Sequence, residues 1–201
     1  MWEFVFLSSE SAMLRLIANS GWLSGVRHVR SPNYDERPLE CSPDLIIVHG
    51  ISLPPCEFGG PGIDQLFTNC LNPDEHPYYA EIAALQVSSH FLIRRDGELV
   101  QYVDIFKRAW HAGQSSYKER ERCNDFAIGI ELEGTDDLAY EAVQYETLAQ
   151  LVQILRNSVT TLEVAPVVGH SDVAPGRKTD PGPAFSWTML ERLLVVKNLP
   201  Y

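Results

Sequence analysis

Apolar positions along the chain follow two different periods, and the switching between them sets the fold class. "DLIIVHG" (44–50) is a short continuous apolar run, which predicts a strand buried on both faces. "SSHFLIRRDGELVQYVDI" (88–105) places two β-rich arms around Asp96-Gly97, predicting a hairpin with φ > 0 at both turn residues. "FAIGIELEG" (126–134) alternates, so Ile128, Ile130 and Leu132 point one way while Gly129, Glu131 and Glu133 point the other. "VAPVVGH" (164–170) predicts a further short strand ending in His170. Between these runs the period lengthens. Ala142, Tyr145, Leu148, Leu151, Val152 and Leu155 recur at helical spacing, and "FSWTMLERLLVV" (185–196) predicts a closing helix. "IDQLFTNCL" (63–71) reads as a short helix, and "HPYYAEIAALQ" (76–86) as another helix or a turn. Strands interleaved with helices indicate an α/β or α+β domain around a central sheet.

No internal repeat, low-complexity tract or Pro/Ser linker divides the 201 residues, so one domain is expected. Hydrophobic residues make up 45% of the chain and charged ones 21%, as in soluble globular proteins. The 16 Lys+Arg against 27 Asp+Glu leave a net charge of -11, which removes the basic footprint that nucleic acid or anionic lipid would need. No apolar run is long enough for a membrane span. The start, "MWEFVFLSSESAMLRLIANSGWL", has no cationic n-region and carries Glu3 and Glu10, so it does not read as a secretory signal. Met13 is an alternative start. Cys41, Cys56, Cys70 and Cys123 form no CxxC pair and, with no export signal, are expected as free thiols in a reducing cytoplasm.

Candidate chemistry gathers at the strand ends. His49 and His170 each follow an apolar run and adjoin a glycine, and "GHSDVAPGRKTDPG" (169–182) adds Lys178 and Asp180 in a Gly/Pro-rich loop. Two imidazoles and a carboxylate suit Zn²⁺ with a fourth position open, although non-haem iron accepts the same ligand types. His111, in "AWHAG", is the rival ligand. His90 alternates with apolar neighbours and reads as a hydrogen-bonded core residue, while His28 and His76 receive no role. Glu131, in the middle of an apolar strand, is the candidate general base for a metal-bound water. Glu133, followed by Gly134 and Asp136, reads instead as a solvated glutamate. Lys178 could place a positive charge where an oxyanion develops.

"HGISLPPCEFGGPGIDQLF", "SSHFLIRRDGELVQYV", "RAWHAGQSSYKERERCNDFAIGIELEG" and "GHSDVAPGRKTDPGPAF" resemble the zinc-dependent type-2 N-acetylmuramoyl-L-alanine amidases. Among these they look most like the cytoplasmic enzymes acting on 1,6-anhydro-N-acetylmuramyl-L-alanine. The resemblance runs from about Gly21 to Trp187; residues 1–16 stand outside it as a dispensable extension, and 17–201 form the amidase domain. It implies a single α/β domain of the peptidoglycan-recognition-protein type, with a central mixed β-sheet flanked by helices. It implies Zn²⁺ held by His49, His170 and Asp180, Glu131 as proton acceptor, and Lys178 as transition-state stabiliser. Trp110, Arg122 and Asn124 fall in segments that resemble the family's substrate groove. The implied substrate is a cytoplasmic anhydro-muropeptide, cut by a monomer without nucleic-acid or membrane partners. The implied role is cell-wall recycling, with an influence on β-lactamase induction. Two positions depart from the pattern: Gly50, where relatives often carry Asn, and Gln86, where some carry Arg. The competing expectation is a non-catalytic peptidoglycan-binding protein on the same fold.

Overall fold

The structure, a computed structural model, describes residues 14–196. Its centre is a six-stranded mixed sheet. In chain order the strands are β1 (Arg27–His28), β2 (Leu45–Ile51), β3 (Phe91–Ile93), β4 (Leu99–Gln101), β5 (Ala127–Glu133) and β6 (Val167–Gly169). In space they run β6-β2-β5-β3-β4-β1. The β6, β2, β5 and β3 neighbours are parallel, β3 and β4 are antiparallel, and β4 pairs parallel with β1. The helices are α1 (Gly62–Phe67), α2 (Pro77–Ile82), α3 (Ala142–Ser158), the single turn α4 (His170–Val173) and α5 (Trp187–Val196). Among the described residues no helix is long and apolar enough to cross a membrane.

The alternation read in β5 is the partition of the core. Ile128, Ile130 and Leu132 join Ile46, Val48, Phe91 and Ile93 in one buried cluster, covered by Tyr145, Leu148, Leu151, Val152 and Leu155 of α3 and by Leu190 of α5. Each such fully buried side chain contributes about 1.5–3 kcal/mol relative to exposure. Ala142 is the one member of the predicted α3 stripe that stays exposed. A capping box starts α3: the Gln144 side chain accepts from the Glu141 N–H, and Gln144 Nε2 also donates to the strand-end carbonyls of Ile93 and Glu133. On the other side of the sheet, Leu92 and Val100 pack with Ile63, Leu66 and Phe67 of α1 and Tyr79 of α2. His76 starts α2, its Nδ1 accepting from Tyr78 N at 3.1 Å, which gives that histidine a capping role.

Several expectations need correcting. The Asp96-Gly97 hairpin forms, but only Gly97 has positive φ (86°). The N–H of Gly97 bonds to Arg94 O and that of Arg94 to Glu98 O, a three-residue loop with a left-handed glycine in place of a two-residue turn. His49 lies inside β2 and not beyond it, and His170 opens α4. Of the proposed extension 1–16, residues 1–13, Met13 included, lie outside the described residues. Arg15–Leu16 pairs with Leu23–Ser24, and Leu14 and Leu16 pack against the main core, so the packed domain takes in 14–16. The four cysteines stand as free thiols.

Candidate active site

Parallel register brings the site together at the carboxyl ends of β2, β5 and β6, where open α/β sheets characteristically bind ligands. Glu131 pairs with His49 across β5 and β2, while Gly169 pairs with Val48, so His170 follows at the level of His49. Three candidate residues therefore lie side by side, Glu131 and His49 on β5 and β2 and His170 at the first position after β6. The fourth and fifth, Lys178 and Asp180, come from the loop after α4. That loop is tied down: Ser171 N donates to Asp180 O, Lys178 N to Ala174 O, and Tyr140 Oη to Pro181 O at 3.0 Å. The Arg177 guanidinium donates to Ala112 O and Gln114 O. Gly182, at φ 80°, lies so close to the Asp136 backbone that a Cβ there would overlap it.

Among the described residues, one group of His, Cys, Asp and Glu side chains can hold a metal ion: His49, His170 and Asp180. Its ligand atoms lie within 4.8 Å of one another. His49 Nδ1 stands 3.0 Å from His170 Nδ1 and 3.2 Å from Asp180 Oδ2, and His170 Nδ1 stands 3.0 Å from the same oxygen. A tetrahedral centre with bonds of about 2.0–2.2 Å has ligand–ligand edges of about 3.3–3.6 Å, slightly wider than this spacing. The far ring nitrogens are occupied: His170 Nε2 donates to Ala112 O at 3.1 Å, and His49 Nε2 meets His111 Nδ1 at 2.9 Å. The inward Nδ1 atoms are thereby left to ligate. Burial holds the His49 imidazole neutral, with its pKa lowered to about 4 despite the adjacent Asp180 carboxylate. Burial works to raise the Asp180 carboxyl, but the close imidazoles of His170 and His49 outweigh it and hold the group well below the usual carboxylate range. A neutral imidazole and an ionised carboxylate are the states a divalent metal requires.

Glu131 faces the same cavity, of about 440 Å³, as His49, His111, His170, Lys178 and Asp180. Its Oε2 is buried without a hydrogen-bond partner. Burial pushes the carboxyl well above the usual range, Asp180 adds to the rise, and Lys178 opposes it. Lys178 itself is exposed at the cavity rim. Leu66, Phe67, Tyr78, Ile82 and Leu85 form an apolar wall.

Glu133 corrects the sequence reading. It is 2% exposed on an interior strand, not a solvated edge. Its carboxylate accepts from Gly59 N at 2.7 Å, Arg95 N at 3.2 Å and Arg94 Nη1 at 3.3 Å, which ties the 59–60 loop and the hairpin turn to the sheet. The rival ligand His111 stands one step behind the ligand set. His90 is the buried, bonded residue expected: Nδ1 accepts from Gly129 N and Nε2 meets Lys107 O. Of the three groove candidates, Trp110 lines the cavity, with its Nε1 donating to Asp35. Arg122 lies exposed in a separate groove with Gln114, Glu121 and Arg177. Asn124 lines neither, since its Oδ1 accepts from the backbone N–H groups of His111 and Ala112. Tyr140, Arg177 and the buried Arg94 were not singled out from the sequence.

The chain matches the family model of the N-acetylmuramoyl-L-alanine amidases over residues 40–183. It is 58% identical over 183 residues to 1,6-anhydro-N-acetylmuramyl-L-alanine amidase AmpD of Escherichia coli (strain K12), covering 91% of this chain and 99% of that protein. A crystal structure of a selenomethionine AmpD derivative matches with a TM-score of 0.85 at 56% identity, over 89% of this chain and 99% of the other. AmpDh3 from Pseudomonas aeruginosa, solved in complex with anhydromuramic pentapeptide, matches with a TM-score of 0.55 at 26% identity, over 75% of this chain and 59% of that one. With two histidines, an aspartate and a buried glutamate gathered beside the carboxyl ends of its mixed sheet, this chain belongs to the N-acetylmuramoyl-L-alanine amidase family and is an amidase.

Proposed function

We propose that the protein hydrolyses the amide between the lactyl group of 1,6-anhydro-N-acetylmuramic acid and the L-alanine of its stem peptide, with Zn²⁺ held by His49, His170 and Asp180. The observation that carries this reading is the convergence of three ligand atoms in the cavity that also holds the unpartnered Oε2 of Glu131. Support for the substrate comes from the activity for which the 58% identical relative is named and from the anhydromuramic pentapeptide in complex with AmpDh3.

Bound zinc supplies a Lewis acid for a carbonyl oxygen and a water acidified to a pKa of about 7. The protein does the rest. Glu131 Oε2 takes the proton of the attacking water and returns it to the leaving alanine nitrogen, a role suited to a buried carboxyl raised well above the usual range. Lys178, two residues before Asp180, places its ammonium near the developing oxyanion, where one donor is worth roughly 2.7–4 kcal/mol. Trp110 and the apolar wall of α1 and α2 offer a face for the sugar and exclude water. Arg122 meets the substrate from outside this cavity, and the bonds of Asn124 to the His111 and Ala112 N–H groups give it a supporting role. The protein acts as a cytoplasmic monomer in cell-wall recycling and lowers the muropeptide signal that induces β-lactamase.

The test is incubation of the metal-analysed protein with an anhydromuramyl peptide and mass spectrometry of the products. Free stem peptide beginning at L-alanine, with one zinc per chain, is expected. Tight binding without cleavage by zinc-loaded protein would instead favour the non-catalytic muropeptide-binding reading.

A further inference from the structure

We propose that His111 is a positioning residue for the metal centre, its Nδ1 accepting the Nε2–H of His49 so that His49 presents a bare Nδ1 to the metal. This rests on the metal-centre reading above. Each neutral imidazole carries one proton on two nitrogens, and the hydrogen bond made by one nitrogen decides what the other can do. His49 can ligate through Nδ1 only with its proton on Nε2, and the atom in front of Nε2 is His111 Nδ1 at 2.9 Å. His111 Nδ1 must then be bare, which puts the His111 proton on Nε2, a buried atom with no other partner.

The ring has a purpose-built seat. At Gly129 of β5 a Cβ would come within 2.5 Å of His111 Cγ and 2.7 Å of its Nδ1, so the ring occupies the space a side chain would fill. Asn124 Oδ1 receives the N–H groups of both His111 (3.2 Å) and Ala112 (2.8 Å). His90 packs edge-on at 5.8 Å between centroids, with both its own nitrogens already bonded. The two histidine ligands are then served by consecutive residues: His170 Nε2 by the backbone carbonyl of Ala112, and His49 Nε2 by the side chain of His111. Asn124 fixes both acceptors at once. Partners of this kind set the tautomer and orientation of a ligand, and their loss typically weakens metal affinity by about 10–100-fold.

The experiment measures zinc affinity by competition with a chromophoric chelator, alongside the cobalt(II) absorption spectrum, in wild type, His111→Phe, His111→Asn and His49→Ala. Phe keeps a ring without an acceptor, and Asn places an oxygen near the position of Nδ1. The expected result is a loss of about 10–100-fold in His111→Phe with an altered cobalt spectrum, largely restored in His111→Asn. Wild-type affinity in folded His111→Phe overturns the inference. Should His111→Phe fail to fold, nitrogen-15 NMR of zinc-loaded wild type decides: a bare His111 Nδ1 with a protonated Nε2 is expected, and a proton on Nδ1 overturns it. His49→Ala separates the two readings. If it retains wild-type zinc affinity, the metal centre itself is misassigned; if it loses zinc while His111→Phe does not, only the role of His111 falls.

Discussion

Glu131 and His49 are register partners on adjacent parallel strands, so candidate base and candidate ligand are held by the sheet's own hydrogen-bond ladder. Neighbouring strands lie about 4.8 Å apart, and partners in a parallel pair project to the same face. The spacing between proton acceptor and metal centre is thus set by the most rigid part of the fold. Only Asp180 and Lys178 depend on a loop.

This predicts that Glu131→Gln retains the metal and the fold yet loses turnover by about 10²- to 10⁴-fold, since the amide fills the same space but cannot take a proton. Metal analysis and single-turnover cleavage of an anhydromuramyl peptide check it. Turnover near wild type in the metal-loaded variant would remove Glu131 from the chemistry.

Glu133→Gln behaves differently, as a stability variant. Its carboxylate is buried against Arg94 and two backbone N–H groups, and a Gln amide would turn a donor toward one of them. Breaking a buried pair from one side costs about 3–5 kcal/mol. Urea unfolding should show that loss, with kcat per folded molecule little changed.

For Lys178→Ala the two outcomes separate chemistry from attraction. An ammonium that meets the oxyanion strengthens its interaction as charge develops, so kcat should fall more than KM rises. A steering charge would raise KM alone and lose its effect in high salt. Steady-state kinetics at two ionic strengths distinguish them, and the tether to Asp180 favours the first.

His90 gives the stability a pH dependence. Burial, helped by the nearby Arg37, lowers its pKa from 6.5 to about 3, opposed by the bond to Lys107 O. As pH falls below about 6.5, the unfolded chain takes up a proton that the folded protein refuses. Folded stability from this residue is therefore complete above 6.5 and is lost toward about 3, by at most about 1.4 kcal/mol per pH unit. His90→Gln, which keeps a donor and an acceptor, removes that proton uptake. The gap in urea midpoint between the variant and wild type should accordingly shift in the variant's favour on acidification, and a constant gap would refute the assignment.

The candidate metal group was legible because His49 and His170 each sit beside a glycine at the end of an apolar run, and Asp180 follows ten residues after His170 in the same Gly/Pro-rich stretch. Glu131 stood out because a charge inside alternating apolar residues demands an explanation. Glu133 was misread since alternation tells which face a side chain takes but not what covers that face; Arg94 reaches it from a turn 39 residues away. The place of His111 was hidden for a similar reason: it depends on a seat that Gly129 leaves open in another segment. A glycine inside a strand does signal close approach, and Gly129 was the available clue. Arg122 and Asn124 were named because their segments resemble the family's substrate groove, and a resemblance of segments does not say which side chains line the cavity: Arg122 stands in a separate groove and Asn124 bonds the backbone of His111 and Ala112.

His49 precedes His170 by 121 residues and Asp180 by 131, and β6, which brings His170 alongside, is the last strand of the sheet to be synthesised. On the ribosome the nascent polypeptide therefore owns a single member of the proposed ligand set for most of its elongation. One imidazole offers no chelate, so the growing chain has nothing with which to capture a divalent ion through this centre. The proposed metal centre is therefore complete only once Asp180 has been made, and a chain interrupted before that point lacks at least one of its three candidate ligands.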